Sequence, residues 1–242
     1  MAKTTPRVHV GQSISADHDM ALSHEQGHYL SNVLRLKPGD AVCLFNSRDG
    51  EWLAYLTTMT KKQVSIRCER RLHDVKPPPD IDFLFAPLKH ARLDYVIQKA
   101  TELGARRLRP VFTQRTIAGR VNLERMKANA IEAAEQCNLV FVPEVAEPQK
   151  LATVLGAWDQ GRSLVYCDET ALIADPREAL KPLSTPAAVL IGPEGGFTDE
   201  ERHHLKSLPY VTPISLGPRI MRADTAAVAA LTLVQAMLGD WS

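Results

Sequence analysis

Two short stretches of this 242-residue chain hold the side chains and glycines best suited to binding a ligand and acting on it. The first is VLIGPEGGFTDEE, residues 189–201. An apolar run stops at Gly192-Pro193, a carboxylate follows in Glu194, and Gly195-Gly196 come next. Glycines clustered at the end of a strand let backbone approach a ligand closely. No Lys-Ser or Lys-Thr follows them, so they do not make a phosphate-cradling P-loop, and their spacing is not the dinucleotide fingerprint. Thr198 and Glu201 stand three apart, as in a capping box, and Asp199 and Glu200 fall in the first turn of the helix that follows. A helix start already satisfied by its own Thr and Glu, with two more acids beside it, repels phosphate. A neutral adenosine or a cationic group suits this turn better.

The second stretch, VTPISLGPRIMRADTAAVAAL, residues 211–231, repeats the design. A strand ends at Gly217-Pro218, an irregular segment carries Arg219 and Arg222, and a helix follows with Asp224 as its expected cap. Two Gly-Pro strand ends in one sheet imply two loops around one pocket. In the final helix only Thr225, Thr232 and Gln235 are polar, so it must be buried in a core or in a subunit interface.

A third stretch, HEQGH at residues 24–28, has the two-His spacing of zinc proteases. Here it opens a short helix, contains Gly27, and no later His or Glu offers itself as third ligand. No metal is expected, and a zinc hydrolase stands as the alternative of a different class. His203 and His204 are adjacent on a helix and point apart. Cys43, Cys68, Cys137 and Cys167 are scattered, as reduced thiols are.

These stretches need a scaffold, and the chain supplies one in two parts. The proline run VKPPPD, residues 75–80, is a stiff boundary. Before it, a helix expected over 24–36, N-capped by Ser23, precedes the strand-like runs AVCLFN, EWLAYLTTM and QVSIRCE. After it, strands and helices alternate, with strands IDFLFAP, RLRPVF, SLVYCD, AAVLIG and VTPISLG. Such alternation implies a mostly parallel sheet covered by helices, with ligands at the carboxyl ends of its strands. The expected domains are therefore 1–74 and 81–242, joined by 75–80.

The net charge of +1 conceals an asymmetry: residues 1–130 carry 21 Lys and Arg against 13 Asp and Glu, and residues 131–242 carry 8 against 15. A basic front half is the footprint of a polyanion binder. No apolar run approaches the roughly 18 residues of a membrane span. MAKTTPRVHV lacks the apolar core of a secretory signal, so a cytoplasmic location without membrane contact is expected.

LIGPEGGF followed by SLGPRIMRADTAA resembles the signature of the SPOUT-class RNA methyltransferases, and within that class the RsmE family. HYLSNVLRLKPGDAVCLFN resembles that family's PUA-like RNA-binding domain, and LDYVIQKATELGARRLRPVFTQRT and IEAAEQCNLVFVPEV resemble its central blocks. One departure stands out: RADTAA replaces the commoner Arg-Thr-Glu-Thr-Ala, so Asp224 occupies the place of a glutamate.

The resemblance implies an α/β fold with a SPOUT-type trefoil-knotted parallel sheet, helices on both faces, and a small N-terminal PUA-like β-barrel domain. It implies methyl transfer from S-adenosylmethionine to N3 of a uridine in small-subunit ribosomal RNA, within the assembled or assembling subunit, by a homodimer. Another RNA methyltransferase of the class with a different target nucleotide, or a non-catalytic RNA-binding relative, are the nearer alternatives. The implied cofactor pocket is walled by three loops: Asp168 and Glu169; Leu190, Ile191, Gly192, Pro193, Gly195 and Gly196; and Ser215, Leu216, Gly217, Ile220 and Met221, with Thr225 beyond. Backbone of Leu216, Ile220 and Met221 would hold the adenine. Arg222 is implied as the catalytic arginine. A guanidinium does not deprotonate in a protein, so its role would be to stabilise charge on uracil oxygens. Glu194 is the candidate base, with water as the other. The basic residues expected to meet RNA are Arg7, Arg35, Lys37, Arg115, Arg120 and Arg219.

Overall fold

The structure, a computed structural model, describes residues 5–60, 63–89, 91–171 and 175–241. It divides into two compact units, Met1–Pro77 with Ala134–Val142, and Pro78–Ala133 with Pro143–Ser242. The change from one to the other falls inside the proline run. Residues 134–142, which the sequence assigns to the second domain, count with the first.

The first unit contains β1 (Arg7–His9), β2 (Asp19–Ala21), α1 (His24–His28), β3 (Ala41–Asn46), β4 (Gly50–Met59) and β5 (Val64–His73). They form a five-stranded sheet in the order β1-β3-β4-β5-β2. Along β5 the apolar side chains of Val64, Ile66 and Cys68 alternate inward, where they join Leu30, Val42, Leu44 and Leu56. Gly50 turns β3 into β4 at φ +88, and a Cβ there would lie 2.3 Å from the carbonyl oxygen of His73. The helix expected over 24–36 is shorter. Ser23 does cap it, in a capping box with Gln26, but after His28 the backbone widens into a π-helical turn, Tyr29–Val33. Ser31 Oγ donates to the Gly27 carbonyl at 2.7 Å, and the Leu34 N–H bonds back to Tyr29. A hydroxyl competing for a helical carbonyl in this way loosens the turn.

The second unit runs β6 (Ile81–Phe85), α2 (Ala91–Glu102), β7 (Arg107–Phe112), α3 (Leu123–Gln136), β8 (Glu144–Val145), β9 (Gln149–Lys150), α4 (Leu151–Gly156), β10 (Ser163–Cys167), α5 (Pro176–Leu180), β11 (Ala187–Ile191), α6 (Asp199–Ser207), β12 (Val211–Ile214) and α7 (Ala223–Leu238). Its strands lie in the order β12-β10-β11-β6-β7-β8, with β9 also on β7, and every pairing is parallel. β6 and β11 are buried along their whole length, as central strands of a parallel sheet must be. Asp82 in β6 is wholly buried and carries Arg107 Nε at 2.6 Å and Arg109 Nη1 at 3.2 Å, so its charge is compensated. α7 packs on α2 and β11. Its Gln235 is buried and donates to the carbonyls of Leu103 and Gly104, closing the end of α2.

Candidate active site

At the carboxyl ends of β10, β11 and β12 the chain leaves the sheet three times, and the three loops enclose a cleft of about 620 Å³. That volume is within the range of small-molecule sites. Its walls are residues 167–169, 191–197 and 215–223, with Arg92 of α2 and Ala226 of α7. The two Gly-Pro strand ends thus converge on one pocket.

Local rules explain the shape of the β11 loop. Gly196 adopts φ +66, and a Cβ on it would stand 2.9 Å from Glu169 Oε1 and 3.1 Å from Arg202 Nη2. A Cβ on Gly192 would meet the Phe197 ring at 2.5 Å. Gly192 is required by the Phe197 ring and Gly196 by its backbone conformation, before any ligand is considered. α6 then starts in a capping box: Thr198 Oγ1 accepts from the Glu201 N–H, and Glu201 Oε2 accepts from the Thr198 N–H. The other oxygen of Glu201 accepts the Gln114 N–H, and Arg115 Nη1 donates to the Gly195 carbonyl at 3.0 Å. The loop after β7 therefore braces the glycine turn.

The β10 loop is held from α6. Asp168 is 0 % exposed in its side chain and takes Arg202 Nη1 at 2.5 Å and Lys206 Nζ at 2.7 Å. The N–H and hydroxyl of Thr170 also donate to it. Burial opposes its ionisation, but Lys206, Thr170 and the charges around them outweigh burial and hold the carboxyl below its ordinary range. Arg202 also pairs with Glu169 and donates to the Phe197 carbonyl. One guanidinium so ties the end of β10 to the turn after β11.

The acids near the cleft are not free counter-charges. Asp168 and Glu169 belong to Arg202 and Lys206, while Glu194 and Asp224 face Arg92 at 3.5 and 4.0 Å. Arg219 and Arg222, by contrast, are exposed, line the cleft and have no ion-pair partner among the described residues. Cys167 also lines it; its residue is only half-buried, but burial pushes its thiol up to about 12, so it is an inert neutral group at neutral pH. In the segment 215–222, the backbone N–H groups of Leu216, Ile220 and Met221 have no protein acceptor among the described residues.

Most of the expected site residues meet in this cleft: Asp168, Glu169, Ile191, Gly192, Pro193, Glu194, Gly195, Gly196, Ser215, Leu216, Gly217, Arg219, Ile220, Met221 and Arg222 all line it. Two do not. Leu190 is wholly buried inside β11, its side chain turned into the sheet core, and Thr225 is exposed on α7. The cap of α7 is also corrected: Arg222 itself occupies the N-cap without a side-chain bond, and Asp224 lies in the first turn. Arg7 is withdrawn as an RNA contact. Its side chain is 9 % exposed, pairs with Glu51 at 2.6 Å, and donates to the carbonyls of Ala134, Glu135 and Leu139, so no donor face is left for phosphate. Arg35, Lys37, Arg115 and Arg120 are exposed, Arg35 at φ +55. The sequence reading missed Arg92, Arg202 and Lys206. The i,i+4 spacing of Arg202 and Lys206 was a usable signal that both reach the same side of α6.

Residues 76–235 match the family model described as an RNA methyltransferase domain, and residues 22–68 match an RNA methyltransferase PUA domain. The ribosomal RNA small subunit methyltransferase E of Rickettsia conorii is 30% identical over 238 residues, spanning 97% of this chain and 96% of that protein. The chain belongs to the ribosomal RNA small subunit methyltransferase E family. The RsmE resemblance carried by the two Gly-Pro motifs is therefore correct, and the zinc-hydrolase alternative falls. Among solved RsmE-like structures, a putative methyltransferase from Legionella pneumophila, in complex with the cofactor SAM, superposes with a TM-score of 0.86 at 29% identity, covering 98% of this chain and all of that one. The ribosomal RNA small subunit methyltransferase E of Neisseria gonorrhoeae, bound to S-adenosyl methionine, gives 0.84 at 25% with the same coverage. Among the described residues no group of His, Cys, Asp or Glu is placed to hold a metal, and no helix is long and apolar enough to cross a membrane.

Proposed function

We propose that this protein transfers a methyl group from S-adenosylmethionine to N3 of a uridine in small-subunit ribosomal RNA. The observation that carries the reading is the three-loop cleft, in which backbone N–H groups of 215–222 and two arginines, all without a partner among the described residues, face the same space. S-adenosylmethionine supplies a methyl on a cationic sulfur and leaves as a neutral thioether, so the protein need provide neither an acid nor a metal. The N–H groups of Leu216, Ile220 and Met221 hold the adenine, and Gly217, at φ +108 with open space around it, lets that segment curve around the ring. Arg222 reaches the uracil from the start of α7 and stabilises the negative charge that develops on the carbonyl oxygens as N3 loses its proton. Glu194, which also lines the cleft, accepts that proton. Positioning then accounts for most of the rate.

Arg219 at the cleft rim, with Arg115 and Arg120 in the same unit and Arg35 and Lys37 in the first, supplies phosphate contacts, which make binding salt-dependent. Supporting a homodimer, α7 leaves the apolar side chains of Val228, Leu233 and Met237 only half-buried. Supporting the knotted path, the chain crosses from β11 over β10 to reach β12, then returns in α7 to pack on β11. A cytoplasmic site of action follows from the substrate.

The test is nucleoside mass spectrometry of small-subunit ribosomal RNA from a deletion strain, with and without the gene restored. Loss and return of a 3-methyluridine is expected, and an unchanged nucleoside profile would sink the proposal.

A further inference from the structure

Arg92 has no part in the reaction as described, yet it stands where three elements meet. It lies in the first turn of α2, lines the cleft, and faces carboxylates from the β11 loop and from α7: Glu194 Oε1 at 3.5 Å from its Nη1 and Asp224 Oδ2 at 4.0 Å from its Nε. Both separations are ion-pair distances without a tight hydrogen bond. Asp224 follows Arg222 by two residues in the first turn of α7, and α7 packs on α2. The base of Arg92 is thus fixed relative to the helix that begins at Arg222. Glu194 has no other charged partner among the described residues, and it sits in a turn whose next carbonyl, that of Gly195, is braced by Arg115.

A planar guanidinium offers five donors in a fixed fork and can engage two carboxylates at once, which an ammonium cannot reproduce. Without it, Glu194 and Asp224 would be left as neighbouring like charges with no cation between them. We propose that Arg92 is a positioning residue: anchored by Asp224, it holds the Glu194 carboxylate in register with Arg222, so that proton acceptor and charge stabiliser address the same uracil. This rests on the function proposed above. It also gives Asp224 a role, as the anchor of Arg92, in the place where the resembling motif has a glutamate.

The experiment is single-turnover methyl transfer by the purified full-length protein to small ribosomal subunits that lack the modification, at saturating S-adenosylmethionine and saturating subunits. Wild-type protein that transfers nothing to uridine N3 overturns the function, and this proposal with it. Given wild-type transfer, Arg92→Gln should slow the step by roughly tenfold to a hundredfold, the scale of a misplacement of about 1 Å. The KM values for cofactor and subunits should move less than about threefold, and Arg92→Lys should recover part of the loss. Raising the pH should narrow the deficit, because uracil N3 that ionises unaided no longer needs a placed acceptor. Glu194→Gln should show the same pH recovery, and the double variant should be no slower than Glu194→Gln alone. An Arg92→Gln protein with an undiminished rate overturns the proposal, as does one whose only defect is a raised KM for subunits, which would make Arg92 an RNA contact. Additive losses in the double variant overturn it as well.

Discussion

Replacing Arg202 by Met should separate the two contributions of its guanidinium, to stability and to cofactor binding. Its side chain is 14 % exposed and its more deeply buried partner, Asp168, is 0 % exposed. Removing one member of a buried pair costs about 3–5 kcal/mol, because the other charge stays buried. Asp168 keeps Lys206 and Thr170, which places the loss at the lower end, about 3 kcal/mol. Glu169 is 45 % exposed, so its share is screened and adds less than about 1 kcal/mol. The Met side chain retains the apolar packing of the stem. For a unit of this size about 3 kcal/mol corresponds to a fall of roughly 6–12 °C in Tm. The two units need not unfold together, so the probe must belong to the second. Trp158, buried and stacked on Tyr210, serves, in a background where Trp52 and Trp241 are replaced by Phe. Urea titration of its fluorescence gives the free energy, and calorimetric titration with S-adenosylmethionine gives the affinity, expected to weaken because the pair that closes on Gly196 is gone. A stability loss below about 1 kcal/mol, or unchanged affinity, would refute the reasoning that Arg202 holds β10 to the glycine turn.

Arg222→Ala should leave thermal stability and cofactor affinity close to wild type and cut methyl transfer by about two orders of magnitude, the scale of a lost charge-stabilising donor; near-wild-type single-turnover transfer would pass the role to Arg219. Gly196→Val should weaken cofactor binding in a folded protein, since a branched residue opposes φ +66 and collides with Glu169 and Arg202; calorimetry showing wild-type affinity would contradict that. Arg7→Ala should destabilise the first unit by about 3–5 kcal/mol, because Glu51 is 9 % exposed and loses its close partner. The readout is Trp52 fluorescence, and a variant of unchanged stability that binds RNA more weakly would restore Arg7 as a contact. Asp168 has a folded pKa below its ordinary 3.8, so its stabilisation is complete above that value and is lost as pH falls through the folded pKa. Below pH 3.8 the wild type should lose stability relative to Asp168→Asn, and parallel acid limbs in stability against pH would disprove the coupling.

Period and punctuation made most of the second unit legible. Strands β6, β7, β10, β11 and β12 and helices α6 and α7 lie where apolar runs and helix signals put them, and the Gly-Pro pairs marked the loops that form the cleft. The elements that escaped are short: β1, β2, β8 and β9 have two or three residues, too few for alternation to register. The site was legible where one residue type does one job in its own loop, as at Gly217 or Arg222. It was not legible where a side chain answers to a distant one. Arg7 looks like any N-terminal cation until the carbonyls of residues 134–139 are brought to it, and Gly196 looks like a ligand's glycine until Glu169 and Arg202 fill the space beside it. Arg92 reads as the polar start of an amphipathic helix, and only the convergence of α2, the β11 loop and α7 reveals its two carboxylates.

The bonds from Arg7 to the end of α3 also set a timetable for synthesis. Arg7 leaves a ribosome long before the carbonyls that receive it, at Ala134, Glu135 and Leu139, which are made after the whole of β6, α2 and β7. The five-stranded sheet can pair as soon as β5 emerges, yet until Val142 has been polymerised the Arg7–Glu51 pair lacks its covering segment. A fragment ended at the proline run inherits that incomplete state permanently. Anyone who wishes to study the N-terminal unit alone should graft residues 134–142 onto it instead of cutting at the visible linker.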